Sequence, residues 1–237
     1  MFAAGFGRVW APGMGPGWAP YSAGRWVNEP YWGWTWVSSE PWGWAPYHYG
    51  RWFVDGDEWV WWPGPAMGLA LTGAGPRERY RPVWAPAYVG FVRMPGGAVG
   101  WVALGPGDAM QPWWGPQGRP GARVGMIAAL GPVGLRARYA NLDLMGRDPV
   151  VARGVVAVPA ARFGAGAVAR EPVRFDEVRQ AEVVRGGPEA RKFAPRPQER
   201  GAADPPAGRR QAGRKQAQPK ARKADKKKQR PDSCCRL

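Results

Sequence analysis

Cysteine is almost missing from this chain of 237 residues: the two present, Cys234 and Cys235, are neighbours, and adjacent cysteines bridge only under strain. A disulfide framework is therefore excluded. Histidine occurs once, at His48, so no histidine cluster exists to hold a metal, and no nucleophile and base stand at a telling spacing. No run reaches the roughly 20 apolar residues that a membrane-spanning helix needs, because Gly, Pro or a charge interrupts each one. Residues 1–8 carry neither the basic region nor the apolar stretch of an export signal. The chain as it stands is expected to be soluble and to lack a leader.

What is abundant is unevenly placed. All 16 Trp lie between Trp10 and Trp114, whereas every Lys lies at or after Lys192. Residues 185–237 hold 17 Lys and Arg against 5 Asp and Glu, which is most of the chain's net +16. The high charge thus belongs to the tail. Gly 35 and Pro 27 together approach the content at which low complexity becomes the default, but large aromatics each bury on the order of 150–250 Å² and can collapse a segment that Pro and Gly would leave open. Three parts are expected: a Trp-rich β-repeat domain over 1–115, a weakly ordered extension with some strand and a short helix over 116–185, and a disordered tail over 186–237, too poor in large hydrophobes to offset the entropy of ordering.

An internal repeat defines the first part. The run Gly17-Trp18-Ala19-Pro20-Tyr21-Ser22-Ala23-Gly24-Arg25-Trp26-Val27 returns as Gly43-Trp44-Ala45-Pro46-Tyr47-His48-Tyr49-Gly50-Arg51-Trp52-Phe53, identical at eight of eleven positions. Weaker echoes stand at Val9-Trp10-Ala11-Pro12, Val60-Trp61-Trp62-Pro63 and Val83-Trp84-Ala85-Pro86. Between the copies, Trp32, Trp34 and Trp36 alternate with smaller residues, so a period of two puts three indoles on one face of a strand. The runs 51–54 and 58–62 predict a hairpin in which Gly56 supplies positive φ. Regularly spaced prolines keep the strands short or at edges. The fold class is mainly β: a short-stranded antiparallel meander, which the β-prone runs 88–92 and 99–104 are expected to extend as one sheet.

The run Gly33-Trp34-Thr35-Trp36-Val37-Ser38-Ser39-Glu40-Pro41-Trp42-Gly43-Trp44-Ala45-Pro46-Tyr47-His48-Tyr49-Gly50-Arg51-Trp52 resembles the uncharacterised Trp-rich region that follows the FecR domain in bacterial FecR-domain proteins. Segments 81–87, 99–107 and 155–163 fit the same pattern, so the resemblance spans roughly residues 8–165. It implies an envelope-associated, periplasmic protein, normally exported, with no established activity. No FecR domain precedes the repeat here, and a start this close to the repeat fits a truncated or misassigned beginning.

The candidate site residues are aromatic. Trp32, Trp34, Trp36, Trp42, Trp44, Tyr47, Tyr49 and Trp52 serve first as core and second as a platform on which sugars or proline-rich peptides stack. Arg25 and Arg51 precede equivalent tryptophans and are expected to lie over indoles as cation–π pairs. His48, with Glu40 and Asp55 as the nearest acids, forms no catalytic pattern. The loops at 95–97 and 105–107 lack the glycine spacing of nucleotide cradles. In the tail, Lys220, Arg222, Lys223, Lys226, Lys227, Lys228 and Arg230 offer counterion-releasing contacts to polyanions. The expectation is a non-enzymatic envelope module without cofactor or metal, whose partners are envelope polysaccharide, peptidoglycan or protein; the alternative is a nucleic-acid or polyanion binder acting through its tail.

Overall fold

The computed structural model describes residues 1–65, 82–110, 112–113, 129, 131–169 and 173–188. The basic tail and the cysteine pair lie outside them. Among these described residues, ten short strands form three hairpins and one larger sheet. The hairpins are β1 (Phe2–Ala3) with β2 (Gly7–Arg8), β3 (Gly24–Glu29) with β4 (Gly33–Ser38), and β5 (Arg51–Asp55) with β6 (Glu58–Trp62). The sheet has the order β10-β7-β8-β9, with β7 at Val89–Arg93, β8 at Val99–Ala103, β9 at Val156–Val158 and β10 at Glu182–Val184, all antiparallel. Among the described residues, four short α-helices accompany them: α1 (Trp44–His48), α2 (Asn141–Leu144), α3 (Pro149–Ala152) and α4 (Phe175–Arg179). None of these described helices is long and apolar enough to cross a membrane.

The mainly β, antiparallel expectation holds, and Gly56 turns the β5–β6 hairpin at φ +69°. The expected extension of the same sheet by residues 88–92 and 99–104 does not. Instead of extending the earlier strands, β7 and β8 pair with strands from residues 156–158 and 182–184. Pro63, Pro65, Pro82 and Pro86 stand between β6 and β7, and proline has no N–H to carry a ladder onward. The segment after residue 131 thus supplies both outer strands and shares the main core, which gathers Trp26, Trp36, Trp52 and Trp101 with Val151, Val156 and Val178.

The repeat explains two glycines. A side chain on Gly24 or Gly50 would stand 2.4 Å from a carbonyl oxygen of the partner strand, Val37 O in the first copy and Trp62 O in the second. Each copy therefore needs glycine at the entry to its hairpin. The copies differ just before: 44–48 is helical, whereas its counterpart makes a turn in which Tyr21 takes φ +61°. They differ in depth too. β5 is covered on both faces, Trp52 in the main core and Phe53 in a second cluster with Phe6, Val9, Val60 and Trp62, while β3 leaves Arg25 exposed.

Tyr21 is fully buried and holds three parts of the chain at once. Its hydroxyl donates to Tyr47 O (2.8 Å) and accepts from Tyr88 N (2.9 Å), while its own carbonyl accepts from Trp101 Nε1 (3.0 Å). A second polar clamp joins the C-terminal segment. Asp108 accepts from the backbone N–H groups of Gly105, Asn141 and Leu142, and the Asn141 amide donates to Trp52 O and Ala103 O. Each fully buried indole around these clamps contributes roughly 4–6 kcal/mol of transfer free energy. Tyr21→Phe should cost about 2–4 kcal/mol in urea unfolding, because it strands a buried N–H and a buried carbonyl. Unchanged stability would show that the hydroxyl does not tie these segments.

Candidate functional site

Most tryptophans point inward, yet one group of rings does not. It forms where three uncharged stretches meet: the β3–β4 turn, helix α1, and the extended strand of chain before β7. Ring centroids run from Tyr31 to Trp32 (4.6 Å), Trp32 to Trp84 (4.5 Å), Trp84 to His48 (5.4 Å, planes 14° apart), His48 to Trp44 (6.1 Å), and Trp44 to Tyr49 (5.8 Å). Tyr31 is 58% exposed, Trp32 37% and Trp44 66%, with Val83 beside them half exposed. At Trp44 alone, roughly 3–4 kcal/mol of possible burial is left ungained. Tyr31, Trp32 and Trp44 are the exposed members of this series, Trp84 and Tyr49 are half-buried, and His48 lies beneath them, 7% exposed.

The ridge is held from beneath. Ala85 N donates to His48 O (3.0 Å), and His48 Nδ1 donates to Ala85 O (2.7 Å). Tyr88 Oη donates to Val83 O (2.7 Å), and Trp36 N donates to Pro86 O (3.1 Å). Trp84 is thereby fixed in place against His48. Below Tyr88 lies Arg51, wholly buried, its guanidinium carbon 4.2 Å from the phenol centroid; Nη1 donates to Gly50 O, while Nε and Nη2 have no partner. Stacking on an aromatic face recovers part of the cost of burying that cation.

The structure divides the sequence-derived set. Trp36, Tyr47 and Trp52 are core residues. Trp34 packs against Phe163 (4.7 Å) and Trp42 against Trp10 (4.8 Å) and Trp18 (5.8 Å), both half-buried. Trp32, Trp44 and Tyr49 belong to the ridge. Trp32 does not share the strand face of Trp34 and Trp36, because β4 begins only at Gly33, whose φ of +66° turns the chain there. The arginine expectation is also corrected: Arg51 lies over a tyrosine rather than an indole, and Arg25, on the open side of β3, makes no ring contact among the described residues. Glu40 accepts from Trp18 Nε1 (2.7 Å) and from the Tyr47 hydroxyl, so this acid ties the two copies together. Tyr31, Trp84 and His48 were missed as partners of Trp32 and Trp44. The available signal was the recurring Trp-Ala-Pro, since Trp44 and Trp84 occupy the same place in it.

Burial holds the His48 imidazole below its usual range, only partly countered by the bond to Ala85 O. The unfolded chain takes up this proton near pH 6.5, the folded chain only at lower pH, so acidification below about 6.5 favours unfolding. Asp108 acts in the opposite sense. Burial pushes its carboxyl up to about 7 against the pull of its backbone donors, so between about pH 4 and 7 the folded chain keeps a proton that the unfolded chain has lost, and this contribution weakens as pH rises. A comparison of the wild type with His48→Asn cancels the Asp108 share, and the asparagine amide can still donate to Ala85 O. From about pH 7.5 to 5 the wild type should lose stability relative to the variant in chemical unfolding. Parallel pH profiles would mean that folding does not resist the His48 proton.

Residues 1–108 match the model of a family described as a family of unknown function (DUF6600). No curated protein and no solved structure matched. The comparisons thus establish an uncharacterised domain over residues 1–108, and every ring of the exposed ridge lies inside it.

Proposed function

We propose that this protein is a non-enzymatic binding module of the bacterial cell envelope, and that the Tyr31–Trp32–Trp84–His48–Trp44–Tyr49 ridge is the surface that meets its ligand. The observation that carries the reading is the continuity of the ring contacts at the surface. Flat, rigid rings give large contact area with little conformational entropy to lose. The ridge is made of rings and one aliphatic residue, so it offers adhesion rather than a nucleophile and base. Its place in the envelope, and its association with FecR-type proteins, rest on the resemblance of the Trp-Gly-Trp-Ala-Pro-Tyr-His-Tyr-Gly-Arg-Trp run, residues 42–52, which contains two of the ridge tryptophan–histidine contacts' partners.

A polyanion-binding role draws on the tail alone. Residues 30–39, 41–50 and 82–92, which build the ridge, contain no Lys or Arg, and single-stranded nucleic-acid platforms combine stacking rings with cations along the backbone.

The test is sedimentation of the full chain with purified envelope fractions, peptidoglycan sacculi and outer-membrane polysaccharide among them, in salt high enough to screen the tail. The double variant Trp32→Ala/Trp44→Ala should lower the bound fraction about tenfold while far- and near-ultraviolet circular dichroism outside the indole bands stays unchanged. Equal retention of both proteins on every fraction would sink the assignment of the ridge.

A further inference from the structure

Resting on that reading, we infer that the ridge binds an uncharged polysaccharide, its sugar rings stacked on Trp32, Trp84 and Trp44 and its hydroxyls bonded to the ring nitrogens between them. Charge comes first. The three stretches that build the ridge carry no ionised side chain, and His48 is kept neutral near pH 7 by burial. A phosphate chain, a uronic-acid polymer or a charged peptide finds no counter-ion on them.

The polar atoms are specific as well. Six indole N–H groups, those of Trp18, Trp52, Trp61, Trp62, Trp101 and Trp113, are spent on acceptors within the fold. Among the described residues, none takes up the Nε1–H of Trp32, Trp44 or Trp84. His48 uses Nδ1 as its donor to Ala85 O, which makes Nε2 an acceptor. The ridge therefore offers flat apolar faces with N–H donors at their edges, and beneath them the one basic nitrogen of the largely covered His48. A pyranose answers both: its C–H face lies on a ring, and its hydroxyls both donate and accept. Polyproline meets the faces and, through its carbonyls, the donors, but has no backbone N–H to offer His48.

The test titrates the full chain at about 0.5 M NaCl, which screens its tail, with chito- and cello-oligosaccharides of increasing length, a polyproline peptide and heparin, followed by isothermal calorimetry and tryptophan emission. Affinity for the uncharged oligosaccharides should rise with chain length. Trp44→Ala and, separately, Trp32→Ala should each weaken it about tenfold, the equivalent of roughly 1.4 kcal/mol. Phe2→Ala, at a residue 71% exposed and outside the ridge, should bind as the wild type does. Because Trp44 is so exposed, its variant should unfold with the wild-type midpoint, which separates lost contact from lost fold. Polyproline binding that depends on Trp32 and Trp44, with no oligosaccharide binding, would overturn the glycan assignment and leave the ridge as a binding surface. Oligosaccharide binding indifferent to both substitutions would overturn it too. Failure of the ridge variants to affect retention on whole envelope fractions would remove the broader reading with it.

Discussion

One buried phenolic hydroxyl stands where the two copies of the repeat and the large sheet meet. Tyr21 belongs to the first copy of the repeat, donates to the backbone of the second copy at Tyr47, and accepts from the backbone of the segment that leads into the large sheet at Tyr88. Its carbonyl receives the indole of Trp101 from the middle of that sheet. Small two-stranded hairpins are barely stable alone, so the fold depends on such ties to bring their aromatic faces together. The left-handed backbone at Tyr21, which costs an ordinary residue roughly 1–2 kcal/mol, is sustained because the ring and hydroxyl it aims are used on every side.

The same economy governs the tryptophans. Two buried indoles donate to carbonyls far along the chain, Trp62 to Phe6 and Trp101 to Tyr21. Trp26 and Trp36 do not. Their Nε1 atoms are buried without a hydrogen-bond partner, and both indoles are packed edge-on against other rings, with centroids 5.4 Å apart and planes at 67°, an arrangement in which ring edges and N–H groups approach π faces. Arg51 illustrates a similar substitution, a phenol face standing where a carboxylate would be expected. Against this background the ridge is set apart because its rings touch one another in series and three of them, Tyr31, Trp32 and Trp44, reach solvent.

Local pattern made part of this legible. The alternation through 51–62 and the glycine at 56 specify the β5–β6 hairpin, whose register pairs Trp52 with Trp61, because both signals act over a few residues. The repeat carries both glycines at which strands approach, though near-identical sequence did not impose identical backbone at 44–48 and its counterpart. What sequence could not reveal was long-range. Val156 pairs with Trp101, Val183 with Val92, and Trp84 lies on His48, and no periodicity connects positions so far apart. Arg51 followed the same rule: its neighbour in sequence is an indole, while its neighbour in space, Tyr88, arrives from another segment.

The large sheet has a temporal side. β7 and β8 form a hairpin from neighbouring residues, but both of its flanks are closed only by residues 156–158 and 182–184. As the chain leaves the ribosome, the two Trp-rich hairpins and the β7–β8 pair emerge well before their covers, at about 5–20 residues per second. For several seconds the nascent protein therefore displays unpaired strand edges beside the most aromatic stretch of its sequence. Unpaired edges of that kind are prone to aggregate, and pairing with residues 156–158 and 182–184 is what closes them.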